Sequence, residues 1–131
     1  MAEHPHAALI RRGYQAFSEG DMDTLATLLT SDVTHHVPGT HHLSGDHKGL
    51  SSVLSYYGQL AAESNGTLRV ELMNVFVDGR GHAMSVSRLS AERGGKKIEQ
   101  MGGIVFRIVG DKVTDLDECL EDIEESDAFW G

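Results

Sequence analysis

An α+β fold is predicted by three features of the 131-residue sequence. Apolar stripes at helical spacing are confined to the first half, the period changes to two from Leu68 onward, and glycine-marked turns join the later strands as hairpins. Helices gathered before a run of strands point to helices covering one face of a curved sheet, not to alternating α/β units. An antiparallel or mixed sheet bent strongly around the N-terminal helices leaves a cone-shaped hollow, and the paired glycines Gly102 and Gly103 inside a strand permit the bend. The length suits one domain, residues 1–131, with 40% apolar residues for a core.

Each element follows from local chemistry. Pro5 suits a first helical turn, and Leu9, Ile10, Gly13, Tyr14 and Phe17 form a stripe from His6 to Glu19 that Gly20 ends. Asp21 caps a shorter helix, Met22 to Leu29, whose leucines give it a buried side. The segment from Ser31 to Val37 is β-branched and is stopped by Pro38-Gly39; a polar loop then runs through His47-Lys48-Gly49. Leu50, Val53, Leu54, Tyr57, Leu60 and Ala61 mark one face of a third helix. Beyond Asn65-Gly66, Leu68, Val70, Leu72 and Phe76 alternate with Arg69, Glu71, Met73 and Val77 around Asn74. Turns at Asp78-Gly79-Arg80-Gly81, Arg93-Gly94-Gly95-Lys96 and Val109-Gly110-Asp111-Lys112 then separate the remaining strands. The terminal Phe129 and Trp130 are expected to dock on the domain.

The formal charge is -9, from 20 acidic residues against 11 Lys and Arg. Nine of the acids lie between Asp111 and Asp127, a surface that would repel a phosphate backbone, so nucleic acid is not an expected partner. No run approaches a membrane span, and Met1-Ala2-Glu3-His4-Pro5 shows neither a basic cluster nor an apolar segment, so the expectation is a cytoplasmic protein without a membrane partner. The single cysteine, Cys119, forms no internal disulfide and reads as a half-buried apolar residue more readily than as a nucleophile. Five of the eight histidines, His35, His36, His41, His42 and His47, fall within thirteen residues. Neighbours on a strand point to opposite sides and no thiolate lies nearby, so no metal site is assigned.

Strand parity singles out a candidate site. On the last strand Leu116, Glu118 and Leu120 share one side, which places an ionisable carboxylate among apolar neighbours, where it needs a cation or an altered pKa. Met84 and Val86 make an apolar side that Arg88 and Ser90 would share, and Gln100, Ile104 and Phe106 share a side of the next strand. If these sides line the cone, Arg88 pairs with Glu118, and Gln100 donates to a substrate oxygen. The same pair reads equally as a structural ion pair. His35 shares parity with Val37 and faces the same hollow, either as a proton shuttle or as a hydrogen-bonded core histidine. Tyr57 offers a donor to a ligand carbonyl or simply packs. Phe17 and Leu54 from the helices would complete the apolar lining.

The chain resembles the SnoaL-like branch of the nuclear transport factor 2-like superfamily, which also holds ketosteroid isomerases and limonene epoxide hydrolases. The likeness rests on Tyr14-Gln15-Ala16-Phe17-Ser18-Glu19-Gly20-Asp21-Met22-Asp23, Asp32-Val33-Thr34-His35-His36-Val37-Pro38-Gly39, Leu43-Ser44-Gly45-Asp46-His47-Lys48-Gly49, Val105-Phe106-Arg107 and Asp127-Ala128-Phe129-Trp130. The resemblance implies a cystatin-like α+β barrel, a cone-shaped pocket for a small hydrophobic ligand, chemistry without metal or organic cofactor, and a homodimer through the outer sheet face. The isomerase proton-shuttling aspartate falls on Val37, its helix-one tyrosine on Gly13 and its second aspartate on Ile104, so a steroid-isomerase mechanism is not implied. Of the Asp-Arg-Asp array of the epoxide hydrolases, Arg88 matches the arginine, Glu118 stands at one aspartate and Ser90 at the other.

Two classes of function therefore compete. One is a cofactor-independent enzyme acting on a hydrophobic carbonyl, polyketide-like or epoxide-like compound by acid-base chemistry, with Glu118, Arg88 and His35 as its catalytic groups. The other is a non-catalytic module, either binding a small hydrophobic ligand or serving as a structural dimerisation domain.

Overall fold

The computed structural model describes residues 3–131, so Met1-Ala2, part of the opening segment read above for a targeting signal, lies outside the described residues. Helix α1 (Pro5–Glu19) begins with proline in its first turn and ends at Gly20, whose left-handed conformation (φ 68°) lets its N–H reach the carbonyls of Ala16 and Phe17. Asp21 caps α2 (Met22–Leu28), accepting from the Thr24 N–H at 3.0 Å and the Thr24 hydroxyl at 2.6 Å. Leu29, expected to close that helix, is already extended and opens β1 (Leu29–Val37). The polar loop contains a short edge strand, β2 (Gly45–Lys48), antiparallel to β1. Helix α3 (Leu50–Glu63) leads to the expected run of four strands, β3 (Arg69–Val77), β4 (His82–Arg93), β5 (Lys96–Val109) and β6 (Lys112–Leu120). The terminal aromatics belong to a further helix, α4 (Ile123–Trp130), and both are buried.

The six strands form one curved, unclosed sheet in the order β2-β1-β6-β5-β4-β3, antiparallel except where β1 runs parallel to β6. This is the expected α+β architecture, with helices against the concave face. The core is a single cluster that joins α1, α2 and α3 to the inner side of the sheet through residues such as Ile10, Leu28, Val53 and Phe106. Burying each such side chain stabilises the fold by about 1.5–3 kcal/mol. Among the described residues no helix is long and apolar enough to cross a membrane.

Three expectations about which face a residue takes are corrected. On β4 the inward residues are Ala83, Ser85, Ser87 and Ala91, while Met84 is 47% exposed on the outer side with Val86, Arg88 and Ser90. The register explains the reversal: Ser85 stands opposite Ile104 and Ala83 opposite Phe106, and directly paired residues share a face. Small side chains are inside because α1 approaches closely there, placing the Tyr14 hydroxyl 2.7 Å from Ser85 Oγ. On β3 a register shift between Leu72 and Asn74 inverts the alternation, so Val75 and Val77 turn inward and Phe76 is 51% exposed. On α3 the buried stripe is rotated toward Tyr56: Ala61 is exposed, and Leu54 packs against the core without reaching the cavity described below.

Candidate functional site

A cavity of about 150 Å³ lies between the helices and the concave face of the sheet. That volume accommodates a molecule of one or two rings. Its wall is largely apolar, and Phe17, Val37, Ile104, Phe106, Leu116 and Leu120 take the lining positions expected of them. Leu54, Val86, Ser90 and Arg88 do not line it.

Polar chemistry enters the wall at two places. At the first, Glu118 Oε1 lies 2.9 Å from His35 Nε2, and His35 Nδ1 lies 2.9 Å from the Tyr57 hydroxyl. The sheet brings them together: β1 and β6 run parallel with His35 opposite Leu116, so Glu118, two residues on, projects from the same face. The His35 ring is fixed edge-on to Tyr56 (centroids 5.3 Å, 75°) and Tyr57 (5.5 Å, 73°). Burial, reinforced by the charge of Glu118, drives the Tyr57 pKa upward and keeps the proton on the phenol. With neutral His35, Tyr57 O–H donates to Nδ1 and Nε2–H donates to the carboxylate. With both ring nitrogens protonated, Nδ1–H donates to the phenol oxygen. Glu118 Oε2 has no protein hydrogen-bond partner among the described residues, and the side chain is 19% exposed.

The second place was not singled out in the sequence. Tyr14, assigned there only to an apolar stripe, turns its hydroxyl to Ser85, and Ser85 Oγ also accepts from the Ile104 N–H at 3.1 Å. Burial raises the Tyr14 pKa, while the neighbouring Ser85 and Ser87 hydroxyls act in the opposite direction. Tyr14 and Ser87 line the cavity, so this corner offers hydroxyl donors to a ligand oxygen. The available signal was the pair of serines at spacing two on β4, on the side opposite to Met84 and Val86.

One expected contact is replaced, and one expected donor has additional partners. Arg88 lies on the outer face, its side chain 52% exposed and 3.6 Å from Glu99, so it forms no pair with Glu118; the partner of Glu118 is His35. Gln100 is buried and lines the cavity, yet its amide spans the β6–α4 corner: Oε1 accepts from the Asp122 N–H at 2.8 Å and Nε2 donates to the Asp122 carbonyl at 3.2 Å. These two bonds tie β5 to the start of α4.

Helix α4 and the loop between β1 and β2 complete the wall. Ser126 and Trp130 line the cavity, and Asp127 accepts from the Thr40 N–H (2.8 Å) and hydroxyl (3.0 Å), which holds its carboxyl below the usual range. The clustered histidines are separately engaged. His36 meets Asp46 at 2.6 Å, His42 meets Glu63 at 2.8 Å, and His47 Nε2 lies 2.7 Å from the Leu43 carbonyl while its ring stacks on Tyr56. Among the described residues no three His, Cys, Asp or Glu side chains are gathered within reach of one metal ion.

Comparison with known proteins agrees with this architecture. The uncharacterized protein Rv0034 of Mycobacterium tuberculosis is 34% identical over 130 residues, covering 99% of both chains. The structure of Bal32a, from a soil-derived mobile gene cassette, superposes with a TM-score of 0.95 at 35% identity over 97% of each chain. A Xanthomonas campestris protein described as having a cystatin-like fold does so with a TM-score of 0.89 at 28% identity, covering 95% of this chain and 97% of that one. The SnoaL-like domain family matches residues 10–116, and the chain belongs to that family.

Proposed function

We propose that the protein is a cofactor-independent enzyme acting by general acid-base chemistry on a small hydrophobic carbonyl, polyketide-like or epoxide-like compound, and that with a carbonyl substrate it moves a proton. The observation that carries this reading is the hydrogen-bonded chain Tyr57–His35–Glu118 ending at a free carboxylate oxygen in an apolar wall. Glu118 Oε2 takes a proton from the carbon next to the carbonyl, and the electron pair of that C–H bond becomes the enolate. The enolate oxygen receives hydrogen bonds from the Tyr14 and Ser87 hydroxyls, and the proton returns from Glu118 to the same or a conjugated carbon. His35 orients the carboxylate and Tyr57 orients His35. A Glu118→Gln enzyme that keeps its affinity for a hydrophobic ketone and loses turnover supports the assignment; unchanged turnover removes it.

A second reading, a binding module without turnover, is favoured by the amide of Gln100 being engaged with Asp122 and by the absence of Arg88 from the cavity. The same proposal includes a homodimer through the outer sheet face, where Met73, Phe76, Met84 and Val105 are 43–51% exposed. It also places the protein in the cytoplasm, in keeping with a lone cysteine and no disulfide framework.

A further inference from the structure

His41, in the loop between β1 and β2, is fixed more firmly than a surface histidine requires. Its backbone N–H donates to Ser44 Oγ (3.2 Å), its carbonyl accepts from the Ser44 N–H (3.0 Å), and its Nδ1 accepts from the Leu43 N–H (3.1 Å). A ring nitrogen that accepts a backbone N–H carries no proton itself, so the proton of the imidazole sits on Nε2. Nε2 meets no protein acceptor among the described residues, and the ring lines the cavity with its centroid 6.5 Å from that of Trp130. The ionisable groups around it are Asp127 on α4, His42 in its own loop, Glu118 on β6 and Glu63 on α3; burial lowers the His41 pKa against the pull of Asp127. The ring therefore presents a neutral donor to the cavity.

We propose that His41 is a ligand-anchoring residue, donating from Nε2–H to an acceptor-only oxygen, and that it selects neutral ketone, ester or quinone carbonyls over hydrocarbons of the same shape. Carboxylates are disfavoured because Glu118 already places one negative charge in an apolar wall. This rests on the cavity being a ligand site, as proposed above, and not on turnover there.

The test uses 1-tetralone and tetralin, the same two-ring skeleton with and without a carbonyl, titrated into the wild type, His41→Ala and His41→Gln. Trp130, the only tryptophan of the chain, is the fluorescent reporter. The wild type should prefer the ketone. His41→Ala should weaken ketone binding by about three- to tenfold and leave tetralin unchanged, and His41→Gln, which keeps an N–H donor, should restore part of the loss. Equal losses for both compounds, or no ketone preference in the wild type, overturn the proposal. Long-range proton–nitrogen NMR of the labelled protein reads the tautomer directly: an unprotonated His41 Nδ1 is expected, and a proton on Nδ1 overturns the proposal whether or not either compound binds. Full turnover in Glu118→Gln together with an intact ketone preference would remove Glu118 as the base and leave this proposal standing.

Discussion

The two faces of the sheet use their residues in opposite ways. The concave side of β4 carries Ala83, Ser85, Ser87 and Ala91, whereas the convex side carries Met84, Val86 and Arg88. By hydropathy alone the convex side looks like the interior. What decides is space: on the concave side α1 comes close enough for Tyr14 to bond Ser85, and only small side chains fit beneath it. Charge follows the same division. The inner carboxylate, Glu118, is bonded by a buried imidazole, while the outer pair, Arg88 and Glu99, stands in solvent.

Substitutions on the two faces should therefore differ sharply. The largest effect is expected at His35: His35→Gln should lower turnover of a hydrophobic ketone about 100-fold by releasing Glu118 from its fixed position, while Arg88→Ala leaves turnover unchanged and shifts stability by no more than about 0.5 kcal/mol. A large catalytic loss in Arg88→Ala would break the comparison. Next is Gly103→Ala, because a methyl group there would lie 2.2 Å from the Ser85 carbonyl oxygen; urea unfolding should show a loss of about 1–3 kcal/mol. On the convex side, Met84→Lys should turn the proposed dimer into a monomer by sedimentation while the monomer stays folded; a wild type that sediments as a monomer, or an oligomeric state unaltered by the substitution, would remove that face as the dimer surface.

The smallest effect belongs to the rim, at the turn between β3 and β4. The N–H groups of Arg80 and His82 hold the Asp78 carboxyl at about 2. Because its folded pKa lies below the unfolded value of about 3.9, Asp78 contributes stability above pH ~4 that is lost as the pH falls toward 2. Asp78→Asn should remove that contribution near neutrality and flatten the stability profile between about pH 4 and 2, so that the two proteins converge at low pH.

How far the site was legible depended on the strand. On β6, Leu116 and Leu120 flank Glu118 at spacing two, and the parity this implies is the one observed. His35 was placed in the hollow by the same reasoning. Their mutual hydrogen bond was not readable, because it depends on the parallel pairing of β1 with β6, which are distant in sequence and joined by no hairpin. The β3 bulge and the serine-lined side of β4 misled for a related reason: alternation reports hydropathy, whereas register and helix approach decide which side is buried. Helix α4 was anticipated only as a docked tail, since its eight residues carry little periodic signal and its position depends on Gln100, Arg93 and Lys96.

The claim that a carboxylate in the cavity wall removes a proton beside a carbonyl is tested most directly by hydrogen–deuterium exchange at the α-carbon of 1-tetralone in heavy water, followed by NMR. The wild type should accelerate exchange well above the buffer rate, and Glu118→Gln, still binding the ketone, should return it to that rate. Exchange at the buffer rate with saturated wild type, or equal acceleration by both proteins, would contradict the account.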